Sequence, residues 1–81
     1  MKDKKPRNAK GKSNGLWEEY YHSGKLWYKG NYINGKENGY WETYHPNGNL
    51  SIKSNYIYGV LNGYYETHFY NGDLKTKEFY I

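Results

Sequence analysis

The chain contains no cysteine, so no disulfide staples it and no thiolate site holds a metal. No apolar run approaches the roughly 18 residues needed to span a bilayer. The lysine-rich N-terminus lacks the apolar segment that follows in a secretory signal, so a reducing, cytoplasmic setting is the expectation. Leucine and valine are scarce and the mean hydropathy is −1.24, which rules out a core of the ordinary aliphatic kind. With 81 residues, the chain reads as one small domain, near the size at which a single core yields only a few kcal/mol.

Aromatic residues are what the chain has instead: 3 Trp, 12 Tyr and 2 Phe, all after residue 15. Tyr and Trp bury large areas and keep a polar handle, so they can hold a thin, half-wet sheet. Charge is also distributed unevenly. The net charge of +4 conceals a basic N-terminus, with Lys2, Lys4, Lys5, Arg7, Lys10 and Lys12 against Asp3 alone. Beyond residue 13, six lysines face seven carboxylates, so the body is close to neutral. Residues 1–13 have no aromatic residue and a high density of like charge, and read as a disordered basic tail. That tail is either an arm for an acidic partner or, the plainer reading, a solubilising segment.

From Asn14 onward the sequence repeats with a 24-residue period and no insertion. Asn14-Gly15-Leu16-Trp17-Glu18 returns as Asn38-Gly39-Tyr40-Trp41-Glu42 and again as Asn62-Gly63-Tyr64-Tyr65-Glu66. Gly24, Gly48 and Gly72 align, as do Lys29, Lys53 and Lys77. A fixed period of this kind marks a repeat architecture whose units bury their apolar faces against neighbours. The repeats are 14–37, 38–61 and 62–81.

Turn signals alternate with strand-like segments. Ser23-Gly24, Asn47-Gly48 and Asn71-Gly72 form one class, Asn34-Gly35 and Tyr58-Gly59 the other. Asn-Gly between alternating segments is a strong hairpin signal, because both central residues need positive φ. Centring the first class on its two turn residues sets Glu18 opposite Lys29, Glu42 opposite Lys53 and Glu66 opposite Lys77. Opposed opposite charges favour that register. The register in turn sorts the faces. An inner face collects Trp17, Trp41, Tyr65, Leu26, Leu50, Leu74, Tyr28, Ile52, Tyr32, Tyr56 and Tyr80. An outer face collects the Glu–Lys pairs with Tyr20, Trp27, Tyr40, Tyr44, Tyr64 and Ile57. The expected fold is all-β, an antiparallel meander of about six strands made of three 24-residue hairpin repeats.

The run Gly-x-Trp-x-x-Tyr, then Asn-Gly-x-Leu, then Tyr-x-Asn-Gly-Lys-x-x-Gly resembles the MORN-repeat variant of bacterial YwqK-type proteins, a group often labelled antitoxin components. The resemblance covers residues 14–81. The commoner MORN form has Gly-x-Gly where this chain has Gly39-Tyr40-Trp41 and Gly63-Tyr64-Tyr65. What the resemblance implies is a small binding protein, bacterial or from a phage or mobile element.

Catalytic patterns are missing. His22, His45 and His68 fall at three different phases of the repeat, so a converging metal site is not indicated. Each reads as a histidine standing in for an aromatic on a strand. Glu18, Glu42 and Glu66 form a ladder, but a glutamate paired with its own lysine has no reason to act as an acid or base. No serine lies in a nucleophile elbow, and the glycines mark turns. The chain reads as a non-enzyme with no cofactor.

A surface remains as the functional feature. The candidate partner-binding residues are Tyr20, Trp27, Lys29, Tyr40, Tyr44, Lys53, Tyr64 and Lys77. Aromatic anchors suit a protein partner, and an antitoxin or inhibitor covering a nuclease or defence complex is the leading expectation. Aromatics interleaved with lysine also suit a polyanion such as nucleic acid or acidic lipid, although a neutral body argues against it. The plainest alternative is cross-strand packing that stiffens the sheet. Finally, the aromatic strand at Phe79-Tyr80-Ile81 carries no polar cap, so homodimerisation or strand addition there follows as a further expectation.

Overall fold

The computed structural model describes residues 3–81. From Gly15 on, the chain is strand and turn: β1 (Gly15–Tyr20), β2 (Leu26–Ile33), β3 (Lys36–Glu37), β4 (Gly39–Tyr44), β5 (Leu50–Ile57), β6 (Val60–Leu61), β7 (Gly63–His68) and β8 (Leu74–Tyr80). The six long strands form one antiparallel sheet in the order β1-β2-β4-β5-β7-β8. The two-residue strands β3 and β6 pair back, antiparallel, on the last two residues of β2 and β5. The all-β meander of hairpin repeats is therefore the fold, with two short strands added to the expected six.

The sheet is a single layer. Its principal extents are 41 × 36 × 9 Å, and among the described residues only Trp17, Gly30 and Ser54 are buried, Trp17 at 8% and Ser54 at 4% exposure. Among the described residues, no helix or second sheet covers either face. Rings do the work of a core instead: Trp17 and Tyr32 meet edge-on at 5.0 Å, Tyr32 and Trp41 at 4.9 Å, and Tyr28 stacks on Trp41 at 5.9 Å. The Trp41 ring lies flat on the backbone of Gly30, where any Cβ would come within 2.0 Å of it. The glycine at this position is thus required by ring-on-backbone packing rather than by a turn.

The Glu–Lys register is as expected: Glu18 pairs with Lys29, Glu42 with Lys53 and Glu66 with Lys77. The turns divide into two geometries. Asn34-Gly35 and Tyr58-Gly59 have positive φ at both residues, 48° and 83°, then 50° and 86°, which is the tight type I′ turn. At Ser23-Gly24, Asn47-Gly48 and Asn71-Gly72 only the glycine is positive. Gly24 N–H donates to Tyr21 O at 2.9 Å and Tyr21 N–H to Lys25 O at 2.9 Å, a three-residue loop that closes on the glycine.

That loop places a bulge in every hairpin, between Glu19 and Tyr20 and at its equivalents, and it corrects the faces beyond it. Tyr20, Tyr44 and His68 pair with Leu26, Leu50 and Leu74, so these leucines leave the inner face. Trp27 is the extra residue. It packs against Tyr21 at 5.8 Å and Tyr28 at 5.2 Å, so it turns toward the aromatic face and away from Tyr40 and Tyr64.

Residues 3–13 correct a second expectation. They are not a free tail but lie along the outer edge of β1, with Lys4 and Glu18 exchanging backbone hydrogen bonds at 2.7 and 2.8 Å. Their contacts copy, one period earlier, those between repeats. Gly35 N–H donates to Ser13 O as Gly59 N–H does to Glu37 O. Asn34 N–H donates to Asn14 Oδ1 as Tyr58 N–H does to Asn38 Oδ1. Trp17 Nε1–H donates to Pro6 O at 2.9 Å as Trp41 Nε1–H does to Asn31 O at 3.2 Å. The Arg7 guanidinium sits over Trp17 at 5.6 Å, where Tyr32 meets Trp41 in the next unit. The segment is a half-repeat that supplies the strand β1 would otherwise lack, and it shields that edge from foreign pairing. Its charge belongs to this contact: Lys5 Nζ lies 2.7 Å from Glu19 Oε1. Residues 1–2 lie outside the described residues. At the other end, β8 pairs with β7, and no strand among the described residues lies on its far edge.

Candidate partner-binding face

Alternation along the strands brings Leu16, Tyr40 and Tyr64 into one row on the face opposite Trp17 and Trp41. Beside that row runs Glu18, Glu42 and Glu66, and facing it Lys29, Lys53 and Lys77. Of the sequence-predicted site residues, Lys29, Tyr40, Lys53, Tyr64 and Lys77 gather here. Tyr20 and Tyr44 share the face but are committed to it internally: Tyr20 Oη donates to Glu18 Oε1 and Tyr44 Oη to Glu42 Oε1, each at 2.9 Å. Trp27 is the one that leaves. Leu16, half exposed, is the residue missed; it holds the same repeat phase as Tyr40, and that phase was the signal that could have found it.

The charges on this face are not equally available. Glu18 takes Lys4 at 3.9 Å, Glu42 takes Lys29 at 3.7 Å, and Glu66 takes Lys77 at 3.7 Å and His68 Nε2 at 3.4 Å. The first two ion pairs join one unit to the next rather than the two strands of a hairpin. The reason is that Lys29 also stands opposite Glu42 in the neighbouring ladder. Glutamate side chains are 17–28% exposed against 44–67% for their lysines, so the surface displays cations and rings. Among the described residues Lys53 is left without an ion pair, because both glutamates in its reach are engaged by other lysines.

Titration directions agree with this division. The hydrogen bond to Glu18 holds the Tyr20 hydroxyl above the usual phenol range, and burial followed by the Glu42 contact does the same for Tyr44. On the opposite face the Lys5 ammonium, and then the Tyr28 hydroxyl, hold Glu19 below the usual carboxylate range. Among the described residues, no three His, Cys, Asp or Glu side chains converge as a metal site would need, and no helix is long and apolar enough to cross a membrane.

Two shallow grooves cross the strands on this face. One, of ≈ 430 Å³, lies between Leu16 and Tyr40; the other, of ≈ 220 Å³, lies between Tyr40 and Tyr64. Tyr40 and Lys53 line both, forming the wall they share. Tyr40 is 73% and Tyr64 55% exposed, and Lys77 lies over the Tyr64 ring at 4.6 Å. Exposed rings flanked by cations can stack on a partner and orient it.

No curated protein and no solved structure matches the chain significantly. The sequence model of the MORN repeat variant matches residues 13–34 and 37–58, which are the first two structural repeats less their junction. Residues 62–81 lie outside that match yet repeat its strand register, with Glu66 opposite Lys77. The match takes in more than half of the residues and coincides in phase with hairpins that can be seen one by one. The chain belongs to the MORN repeat variant family, whose repeats serve in general as protein- or membrane-binding modules.

Proposed function

We propose that the chain is a non-enzymatic binding protein that covers a protein partner stoichiometrically through the Tyr40–Tyr64 face. The observation that carries this reading is a regular row of exposed rings and lysines on one face, the matching carboxylates being already engaged within the sheet. Rings of this exposure are the usual anchors of a protein interface. A rigid sheet presents them with little ordering cost on binding. The finer role we infer is that of an antitoxin- or inhibitor-type protein, of bacterial or mobile-element origin, acting in the cytoplasm on a nuclease or defence complex. Its support is the repeat family.

The polyanion alternative is weakened, because three of the six N-terminal cations, Lys4, Lys5 and Arg7, already contact Glu18, Glu19 and Trp17. The experiment is capture from the native cell lysate at moderately high salt, with the full chain and with a Tyr40→Ala/Tyr64→Ala variant. The expected result is one protein retained in near-equal amount by the native chain and lost with the variant. Recovery of nucleic acid alone, released as salt rises, would replace this reading with the polyanion binder.

A further inference from the structure

The two grooves have a spacing that selects a kind of partner. They repeat with the hairpin unit, and a unit is two strands wide. Neighbouring strands lie about 4.8 Å apart, so equivalent points recur roughly every 9.6 Å across the sheet. A polyproline II helix rises about 3.1 Å per residue with three residues per turn, so its equivalent side chains recur about every 9.3 Å. A segment in that conformation, laid across the strands, therefore sets residue i between Leu16 and Tyr40 and residue i+3 between Tyr40 and Tyr64. Grooves walled by aromatic rings are the surface that such segments use, because the ligand is already stiff and loses little freedom on docking. Helical or strand-like ligands miss this spacing. One helix turn, about 5.4 Å, falls short and two, about 10.8 Å, overshoot, while a strand repeats its faces about every 6.6 Å.

Charge selects further. Lys53 stands on the wall common to both grooves and has no ion pair among the described residues, while Glu18, Glu42 and Glu66 are each engaged. An acidic residue between the two groove-filling positions meets that cation. A basic one would lie against Lys53 with no free carboxylate to receive it. We propose that this face binds an acidic, proline-rich segment of a partner protein in the polyproline II conformation. The segment would run perpendicular to the strands, straddle Tyr40 and place a carboxylate on Lys53. This rests on the protein-binding reading above and names the chemistry of its partner.

The test is titration of the isotopically labelled full chain with a capped peptide of four Glu-Pro-Pro units, followed by amide chemical shifts. Two peptides serve as controls: Glu-Gly-Ser units, equal in charge but flexible, and Lys-Pro-Pro units, equal in stiffness but opposite in charge. The expected shifts centre on Tyr40, Lys53 and Tyr64, with at least fivefold weaker binding of both controls. Tyr40→Ala and Lys53→Glu should each weaken binding about tenfold while leaving the rest of the spectrum in place; Lys53→Gln provides a milder second variant. Equal affinity for the Glu-Gly-Ser peptide would reduce the interaction to bare charge and overturn the proposal. Shifts centred on Trp17 and Trp41 would overturn it too, as would no response at millimolar peptide. If lysate capture yields a Tyr40-dependent partner while the Glu-Pro-Pro peptide does not bind, the segment class falls and the binding-module reading stands.

Discussion

At the level of single residues, the repeat makes each position a comparison with its equivalents. Asn34 and Tyr58 occupy the same left-handed turn position, with φ of 48° and 50°. Asparagine tolerates that conformation and tyrosine does not, since a bulky side chain there crowds its own backbone. Tyr58 is half exposed, and its ring gains only a Lys36 ammonium at 5.3 Å, a contact worth little in water. Tyr58→Asn is therefore expected to stabilise the chain by about 0.5–1 kcal/mol, read as a higher urea midpoint at unchanged slope. An unchanged or lower midpoint would mean that the Lys36 contact outweighs the backbone strain. Gly30 and Ser54 make a second comparison. A Trp ring lies on the glycine backbone, whereas the smaller Tyr65 at the next phase coexists with a serine that is 4% exposed. Neither contrast was legible from composition, because both depend on which ring crosses which strand.

At the level of elements, the N-terminal segment changes most between sequence and structure. Its lysines and single proline read as disorder, yet Pro6, Lys4 and Arg7 fall where Asn31, Lys29 and Tyr32 fall in the next unit. The period had slipped by one residue and the aromatic signature had gone, so sequence comparison did not reveal a half-repeat. What forms it is an unsatisfied edge: β1 presents backbone groups and the Trp17 indole N–H, and the segment satisfies both. Deleting residues 1–13 is expected to lower stability by about 2–3 kcal/mol, through lost cover of Trp17 and unmade edge hydrogen bonds. Trp17 fluorescence should shift red in the same variant. A free tail would leave both unchanged, so equal urea midpoints for the two chains would refute the half-repeat. The bulged turns are the other element-level lesson. Gly24, Gly48 and Gly72 marked the turns correctly, but a three-residue loop in place of a two-residue one moved Trp27 to the opposite face from the one expected.

For the whole molecule, a sheet 9 Å thick has no interior to fall back on. Its stability rests on rings whose hydroxyls are partly withdrawn from water. Tyr28, Tyr32, Tyr44 and Tyr56 are held above the usual phenol range, burial being the largest cause at each, with Glu19 and Glu42 hydrogen bonds adding at Tyr28 and Tyr44. A folded pKa above the unfolded one stabilises fully below the ordinary phenol value of about 10, and the benefit is lost as pH rises through the folded values. Glu19 behaves in the opposite sense. Its lowered folded pKa contributes above the ordinary glutamate value of about 4.3 and is lost as pH falls through the folded value. The thermal midpoint should therefore hold a plateau between about pH 5 and 9. Above it, the midpoint should fall steeply as tyrosinate absorbance appears, and below it the drop should be shallower because Glu19 and Lys5 are near the surface. A midpoint unaffected up to about pH 12 would show that the phenols contribute nothing through their protonation.

The sequence by itself determined the period, the strand pairing and the Glu–Lys register, because side-chain alternation and turn glycines are local properties that recur every 24 residues. It also determined that Tyr40, Tyr64 and the three lysines share a face, since alternation alone fixes that between bulges. Only the tertiary structure decided where the bulges fall, which carboxylates are taken and which cation is left over, and that the basic N-terminus completes the sheet. Each of those depends on contacts between one unit and the next. Such contacts are set by the distance between strands and by competition for the same partner, and neither is written at any one position of the chain.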